Sequence, residues 1–370
     1  MNRVYSVGEP MELQENISLA PLTTFQIGGP ARFFVEAKSA AEVEGAVRLA
    51  QTQALPLFVL GGGSNLVVAD EGWPGLVLKV AIVGIDQDSR DWNGKAIFHA
   101  GAGESWDRFI SKAVAADCAG VECLSGIPGS VGGTPVQNVG AYGQEVSETI
   151  ESVEVFDLKE KQVHELSNEA CGFSYRSSIF NASERGRFII LRVNYALTPG
   201  GDPHLAYNDL KHHFEGRESS PDLAEVREAV RHIRARKGML IVEGDPDCRS
   251  AGSFFKNPVL GEEQHLALQK RAAEKKLAIP SYPGLEKNHK VSAAWLVEHS
   301  GFSRGYALGR AGISSKHALA IVNRGGATAN EVIALKDQVQ QRVDEIWGVR
   351  LDTEPVFVGS SDQGPVVSGQ

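Results

Sequence analysis

Short apolar runs alternate along this chain with segments whose apolar residues recur every three to four positions. That pattern predicts a mixed α and β protein. Residues 39–42 (SAAE) have the form of a helix capping box, and Val43, Ala46, Val47 and Ala50 follow on one helical face. Residues 55–60 (LPLFVL) predict a short strand ending at Gly61. A second helix is expected from Leu223, with Leu223, Val226, Val230 and Ile233 on its buried face and a basic end at Arg234, Arg236 and Lys237. A third opens with residues 328–331 (TANE), carries Val332, Leu335, Val339, Val343 and Ile346 as its stripe, and stops at Gly348. Such stripes are core packing and carry no function by themselves.

The 40 glycines are unevenly placed, at 61–63, 101–103, 126–143 and 305–312. Candidate boundaries are a turn at 72–75 (GWPG) and the polar stretch 215–222, and 360–370 reads as a disordered tail. No repeat of fixed period is visible.

At 370 residues and 42% hydrophobic, the chain is long enough for two or three domains with substantial cores. Its net charge of -9 argues against a nucleic-acid binder, so any positive charge used on an anionic ligand must be concentrated locally. The first ten residues (MNRVYSVGEP) show no secretory apolar region, and no run of 18 apolar residues occurs. A cytoplasmic location without membrane contact is therefore expected. Cys118, Cys123, Cys171 and Cys248 form no CxxC pair and read as reduced thiols, and the ten histidines include no HExxH, so no metal site is expected.

Two glycine-rich loops stand out. Residues 60–66 (LGGGSNL) follow a predicted strand, and such a turn either is plain or presents N–H groups to an anion. Its spacing fits neither GxGxxG nor GxxxxGK[ST]. The second, residues 124–143, holds six glycines and two prolines in a stretch poor in apolar side chains. It would make a poor core element but suits an extended cofactor, and its prolines with Ile127 and Val131 argue for a fixed shape.

Two such loops on alternating α and β elements resemble the FAD-binding fold of the vanillyl-alcohol-oxidase type. Five ordered motifs narrow the likeness: residues 24–29 (TFQIGG), 171–180 (CGFSYRSSIF), 251–258 (AGSFFKNP), 308–323 (LGRAGISSKHALAIVN) and 351–354 (LDTE). Together, from about residue 15 to 359, they resemble the UDP-N-acetylenolpyruvoylglucosamine reductase family.

The resemblance implies an α+β protein of three domains. Residues 1–75, with a returning C-terminal strand at 349–359, and residues 76–220 would hold FAD non-covalently. Residues 221–348 would close over the substrate. It implies NADPH as co-substrate, a small nucleotide-sugar substrate and a monomer. The cofactor positions it implies are Gly61, Gly62, Gly63, Ser64 and Asn65 in the first loop. In the second they are Ser125, Pro128, Gly129, Ser130, Gly132, Gly133, Asn138, Gly140 and Gly143.

The same resemblance gives Arg176, Ser253 and Glu354 catalytic roles. Arg176 would hold the substrate carboxylate with its planar fork, Glu354 would share a proton with the developing enolate, and Ser253 would protonate the α-carbon. Taken alone, these residues read as a structural ion pair, a surface charge and a turn residue. Tyr207, Lys237 and Asn257 would approach the substrate diphosphate, and Tyr207 places the chain in the branch with a tyrosine loop. Lys237 also reads as an ordinary cation at a helix C-terminus. The chain departs from the family in the long connection 238–249, which leaves open which lysine meets the diphosphate. Thr134 and Asn181 also stand where the family often has alanine and lysine.

Overall fold

The computed structural model describes residues 3–5, 11–88, 93–283, 287–359 and 366–369. The first sheet has six strands in the order Arg3–Tyr5, Met11–Ser18, Pro30–Ala37, Trp73–Val80, Leu57–Leu60 and Val366–Gly369. Pro30–Ala37 and Leu57–Leu60 both run parallel to the central strand Trp73–Val80. Parallel neighbours need a crossover, and the helix Ala40–Thr52 supplies it. Ser39 caps that helix by accepting from the Glu42 N–H, and Val43, Ala46, Val47 and Ala50 are its buried residues, on the face the sequence pattern marks.

The second sheet is antiparallel, in the order Gln162–Ser167, Ile150–Asp157, Phe188–Pro199, Ala96–Gly101 and Ile85–Gln87. The helix Trp106–Ala115 packs on it through a stack of Trp106, Phe109 and Tyr195, with the Phe109 and Tyr195 ring centroids 4.5 Å apart. Both sheets contribute to one continuous core, from Val35 and Val59 to Phe98 and Val193. A separate core gathers the helices Glu262–Glu274, Ala293–Glu298 and Ala329–Trp347 around Phe254, Phe255, Leu296 and Trp347, and it also takes in Phe25, Ile27 and Val67 from the first part of the chain. The helix Ala329–Trp347 begins with a reciprocal capping box between Thr328 and Glu331 and ends on Gly348 at φ 66°.

Three expectations change. Residues 72–75 do not divide the chain, because Trp73–Val80 is a central strand that runs through the expected boundary at 75. Pro74 is tolerated because the register shifts there, with Ala31 opposite Trp73 but Phe33 opposite Leu76, so its missing N–H lies at a bulge. Residues 366–369 of the expected disordered tail form a strand parallel to Leu57–Leu60, covering what would otherwise be an open edge. The helix Leu223–Arg236 packs against Cys123, Tyr142 and Leu210, outside the 221–348 segment in which the sequence reading placed it.

Asp107 fastens that helix. Its carboxylate accepts two bonds from Arg227 at 2.7 and 2.9 Å, one from Arg231 at 2.8 Å and one from the Gly126 N–H at 2.8 Å. Burial alone would push its pKa up, but the hydrogen bonds from Arg227 and Gly126 and the charges of Arg227 and Arg231 outweigh burial and hold it below the usual aspartate value. All four cysteines are buried free thiols, and no described helix is long and apolar enough to cross a membrane. Asp157, Glu160 and His164 come close together, yet both carboxylates already bond Arg187.

Asp107→Asn is expected to cost about 1.5–3 kcal/mol of stability, the range for hydrogen bonds to a charged group. Denaturant unfolding measures it. Because the folded pKa lies below the unfolded one, the contribution is present above the pKa of an unfolded aspartate and is lost as pH falls toward the folded value. The difference between variant and parent should therefore shrink in acid; a difference independent of pH would contradict this.

Candidate active site

The strand Leu57–Leu60 delivers its glycines directly onto the second glycine-rich loop. A Cβ on Gly62 would lie 2.5 Å from both Gly129 Cα and Ser130 N, so only glycine allows the two backbones to touch. Gly63 has φ +65° and approaches Leu22 O so closely that a Cβ would overlap it. The Thr24 N–H donates to Gly63 O at 3.0 Å, and the Thr24 hydroxyl lies 2.7 Å from Ser250 O. Asn65 ties three segments together, donating to Gln137 Oε1 at 2.9 Å and to Glu354 O at 3.2 Å.

Two observations make this junction fit a diphosphate. The Ser130 hydroxyl is buried without a hydrogen-bond partner. Among the described residues, the N–H groups of Gly62, Gly63 and Ser64 meet no protein acceptor. Unsatisfied donors on adjoining backbone segments are what an anion site requires. Gly61 and Pro128 flank these residues in sequence.

The other expected cofactor positions also make hydrogen bonds or close contacts within the protein. The Ser125 hydroxyl donates to Glu122 O at 2.6 Å. The Gly132 N–H donates to Ala102 O and the Gly133 N–H to Ser130 O. The Asn138 side chain donates to Glu145 Oε2 and Ser174 O and accepts from the Ser147 N–H. Gly140 gives its carbonyl to Arg176 Nη2 at 2.7 Å, and Gly143 turns at φ +89° against His204.

Ser253 and Glu354 come together through backbone pairing. The Glu354 N–H donates to Phe254 O at 3.0 Å, the Lys256 N–H donates to Asp352 O at 2.9 Å, and Phe255 bridges Thr353. Arg176, at φ +54°, turns its guanidinium inward, with Nε 3.3 Å from Glu354 Oε1. Burial pushes the Glu354 carboxyl above the usual glutamate range, opposed by Arg176, Lys256 and Lys290. The site therefore holds a carboxyl biased toward its protonated form beside a permanent cation.

Sequence reasoning missed His317 and Lys290 as members of this site. His317 Nε2 lies 3.5 Å from Ser253 Oγ, and burial, with Lys237, Arg304 and Arg234 nearby, takes its pKa down to about 4. A neutral imidazole therefore faces the serine at neutral pH. Lys290 Nζ sits 3.6 Å from the Tyr175 ring centroid. The histidine was visible only as the one imidazole in the 308–323 motif, and the lysine carried no local signal.

Lys237 and His317 line a cavity of about 710 Å³ together with Arg236, Arg304 and Lys316. Lys237 pairs with Asp209 and lies 5.7 Å from the Tyr142 ring, which meets Tyr207 edge-on at 5.3 Å. Tyr207 is exposed. Asn257 is partly committed elsewhere, since its Oδ1 accepts from the Ala293 N–H at the start of the helix Ala293–Glu298. Its Nδ2 donors are what it can offer a ligand.

Gly62→Ala is expected to force the two loops apart, costing about 1–3 kcal/mol as overpacking does. Bound flavin should be lost with it. Flavin absorbance per protein after gel filtration, with a thermal melt alongside, measures both. Full flavin content in a variant of parental stability would remove the junction from the cofactor site.

Residues 31–167 match the family model described as an FAD binding domain, and residues 245–358 match the C-terminal domain of UDP-N-acetylenolpyruvoylglucosamine reductase. The chain is similar to proteins of that name from Streptomyces coelicolor, 44% identical over 358 residues (95% of this chain and 91% of the relative), and from Thermobifida fusca, 42% identical over 349 residues (93% and 97%). The crystal structure of the enzyme from Thermus caldophilus, 27% identical, superimposes with a TM-score of 0.61 over 97% of this chain and 100% of that one. With relatives this similar along nearly its whole length, and a glycine junction suited to a dinucleotide diphosphate, the chain belongs to the UDP-N-acetylenolpyruvoylglucosamine reductase family.

Proposed function

We propose that this protein reduces the enolpyruvyl ether of UDP-N-acetylglucosamine to the lactyl ether, giving UDP-N-acetylmuramate for peptidoglycan, with NADPH as reductant and non-covalent FAD. The observation that carries the reading is the meeting of Ser253, Glu354 and Arg176 beside the glycine junction. A hydroxyl, a carboxyl biased toward protonation and a guanidinium are what a conjugate reduction of an unsaturated carboxylate requires.

Bound FAD supplies hydride transfer, from NADPH to the terminal vinyl carbon of the substrate. The chain's own residues handle the charge and the proton. Arg176 binds the substrate carboxylate through its fork and balances the negative charge that spreads onto it. Glu354, protonated, donates a hydrogen bond to the same oxygens as they become enolate-like. Ser253 donates its hydroxyl proton to the α-carbon, a transfer from a weak acid that proceeds because the acceptor is nearly a carbanion. Tyr207, Lys237 and the Nδ2 of Asn257 hold the diphosphate, with Lys237 exchanging its pair with Asp209 for the phosphate. The protein works as a cytoplasmic monomer that contacts neither membrane nor nucleic acid; the two sheets, with the helix Leu223–Arg236 packed beside Cys123 and Tyr142, hold the cofactor, while the part built on the helices Glu262–Glu274, Ala293–Glu298 and Ala329–Trp347 closes over the substrate.

Ser253→Ala separates the two half-reactions. Flavin reduction by NADPH should stay near the parental rate, and reoxidation by the enolpyruvyl substrate should slow by about 10²–10⁴-fold. Stopped-flow absorbance resolves the two steps. Equal slowing of both would make Ser253 structural, and no slowing of either would move the proton source elsewhere.

A further inference from the structure

The motif at 24–29 has no part in the proposed reaction, yet its first residue joins two segments that the reaction must keep in register. Thr24 is half-buried. Its N–H donates to Gly63 O at 3.0 Å, inside the glycine junction. Its hydroxyl donates to Ser250 O at 2.7 Å, with Ser64 O farther off at 3.3 Å. A hydroxyl has one proton, so the shorter contact is the main bond and the longer one a weak second acceptor. One residue thus reaches from the backbone at 63–64 to the buried backbone of Ser250, just ahead of Ser253.

The neighbours of Thr24 and Ser253 repeat the contact. Phe25 meets Phe254 edge-on, with ring centroids 6.4 Å apart, and both side chains are fully buried. Gln26 completes the turn in the left-handed region at φ 56°. Asn323 holds that turn, donating through Nδ2 to Phe25 O at 3.1 Å and to Gln26 O at 3.2 Å, while its N–H donates to Arg249 O at 2.9 Å. Strain of this kind persists only where the surroundings fix it. Gly252, by contrast, is loosely packed: a Cβ there would meet nothing nearer than Met239 Cε at 4.0 Å. Ser253 is therefore placed from its two flanks, Ser250 and Phe254, and both flanks are held by the turn at 24–26.

We propose that Thr24 is a positioning residue for the second half-reaction, its hydroxyl fixing where Ser253 stands relative to the glycine junction. Thr24 acts through Ser253 and needs no contact with the reacting carbon. Proton delivery depends steeply on such placement, since a shift of about 1 Å can cost roughly 10²-fold. Thr24→Val removes the donor and sets a methyl against the Ser250 carbonyl, so the segment leading to Ser253 has to move. Hydride transfer from NADPH to FAD takes no proton from Ser253 and does not depend on that segment. Resting on the proposed role of Ser253, this adds the residue that holds the serine in place.

Stopped-flow absorbance of the purified holoprotein reads the two half-reactions. Thr24→Val is expected to keep parental flavin content and parental reduction by NADPH, and to slow reoxidation by the enolpyruvyl substrate about 10–100-fold. Thr24→Ser retains the hydroxyl and should recover most of that loss. Added to Ser253→Ala, Thr24→Val should slow reoxidation no further, because a residue acting through a hydroxyl has no effect once that hydroxyl is gone. Unchanged reoxidation in Thr24→Val, with or without a lower melting temperature, overturns the proposal. So does equal slowing of both half-reactions, a Thr24→Ser variant as slow as Thr24→Val, or full additivity with Ser253→Ala. If Thr24→Val yields no holoprotein, Thr24→Ala makes the same comparison without the added methyl; if that also yields none, Thr24 is structural and the proposal falls. A Ser253→Ala variant that reoxidises at the parental rate would overturn the role of Ser253 itself, a result distinct from a normal Thr24→Val beside an impaired Ser253→Ala.

Discussion

The structure depends on one close approach, that of the backbone at Gly62 to the backbone at Gly129 and Ser130. Two parts of the chain with different sheets meet there without an intervening side chain. The parallel sheet brings Gly62 on the end of Leu57–Leu60, and the helix Trp106–Ala115 fixes the other side, with the Trp106 N–H donating to Gly129 O. Side chains at this point would separate the sheets and close off the donors of residues 62–64. The strand Leu66–Val68 then leads away and takes the C-terminal strand Val356–Val358 as a parallel partner, which sets Glu354 just above the junction. The glycine junction and the Glu354 carboxyl therefore share one backbone framework.

Charge is handled by concentration rather than by total. The chain carries a net charge of -9, yet Arg176, Lys256 and Lys290 surround Glu354, and Arg236, Lys237, Arg304 and Lys316 line the neighbouring cavity. Several of these cations are held by carboxylates that an anionic ligand can displace, as Asp209 holds Lys237 and Asp245 holds Lys316. Pairing of this kind keeps a basic cleft stable before the ligand arrives.

Much of this was legible in the sequence where the signal is local. The helix faces at Val43 to Ala50 and Val332 to Val343 follow from periodicity, and the caps at Ser39, Thr328 and Gly348 from the chemistry of helix ends. The two glycine loops were visible as composition, but not that Gly62 touches Gly129, because that contact joins residues 67 positions apart through two sheets. The turn expected at 72–75 failed because a bulge lets Pro74 sit inside a strand. His317 was hidden because its role depends on Ser253, 64 positions away. Asn138 and Ser125 look like ligand groups by type, and the structure adds that their side chains also have protein partners. Local propensity marks elements; it does not say which polar atoms are already satisfied.

In the proposed function, FAD held at this junction carries electrons from NADPH to an enolpyruvyl group beside Ser253. An anaerobic absorbance titration of the parent protein tests it most directly. One equivalent of NADPH should bleach the visible flavin band, and one equivalent of enolpyruvyl-UDP-N-acetylglucosamine should then restore it. A band that NADPH leaves unbleached, or that stays bleached until oxygen is admitted, would contradict the claim.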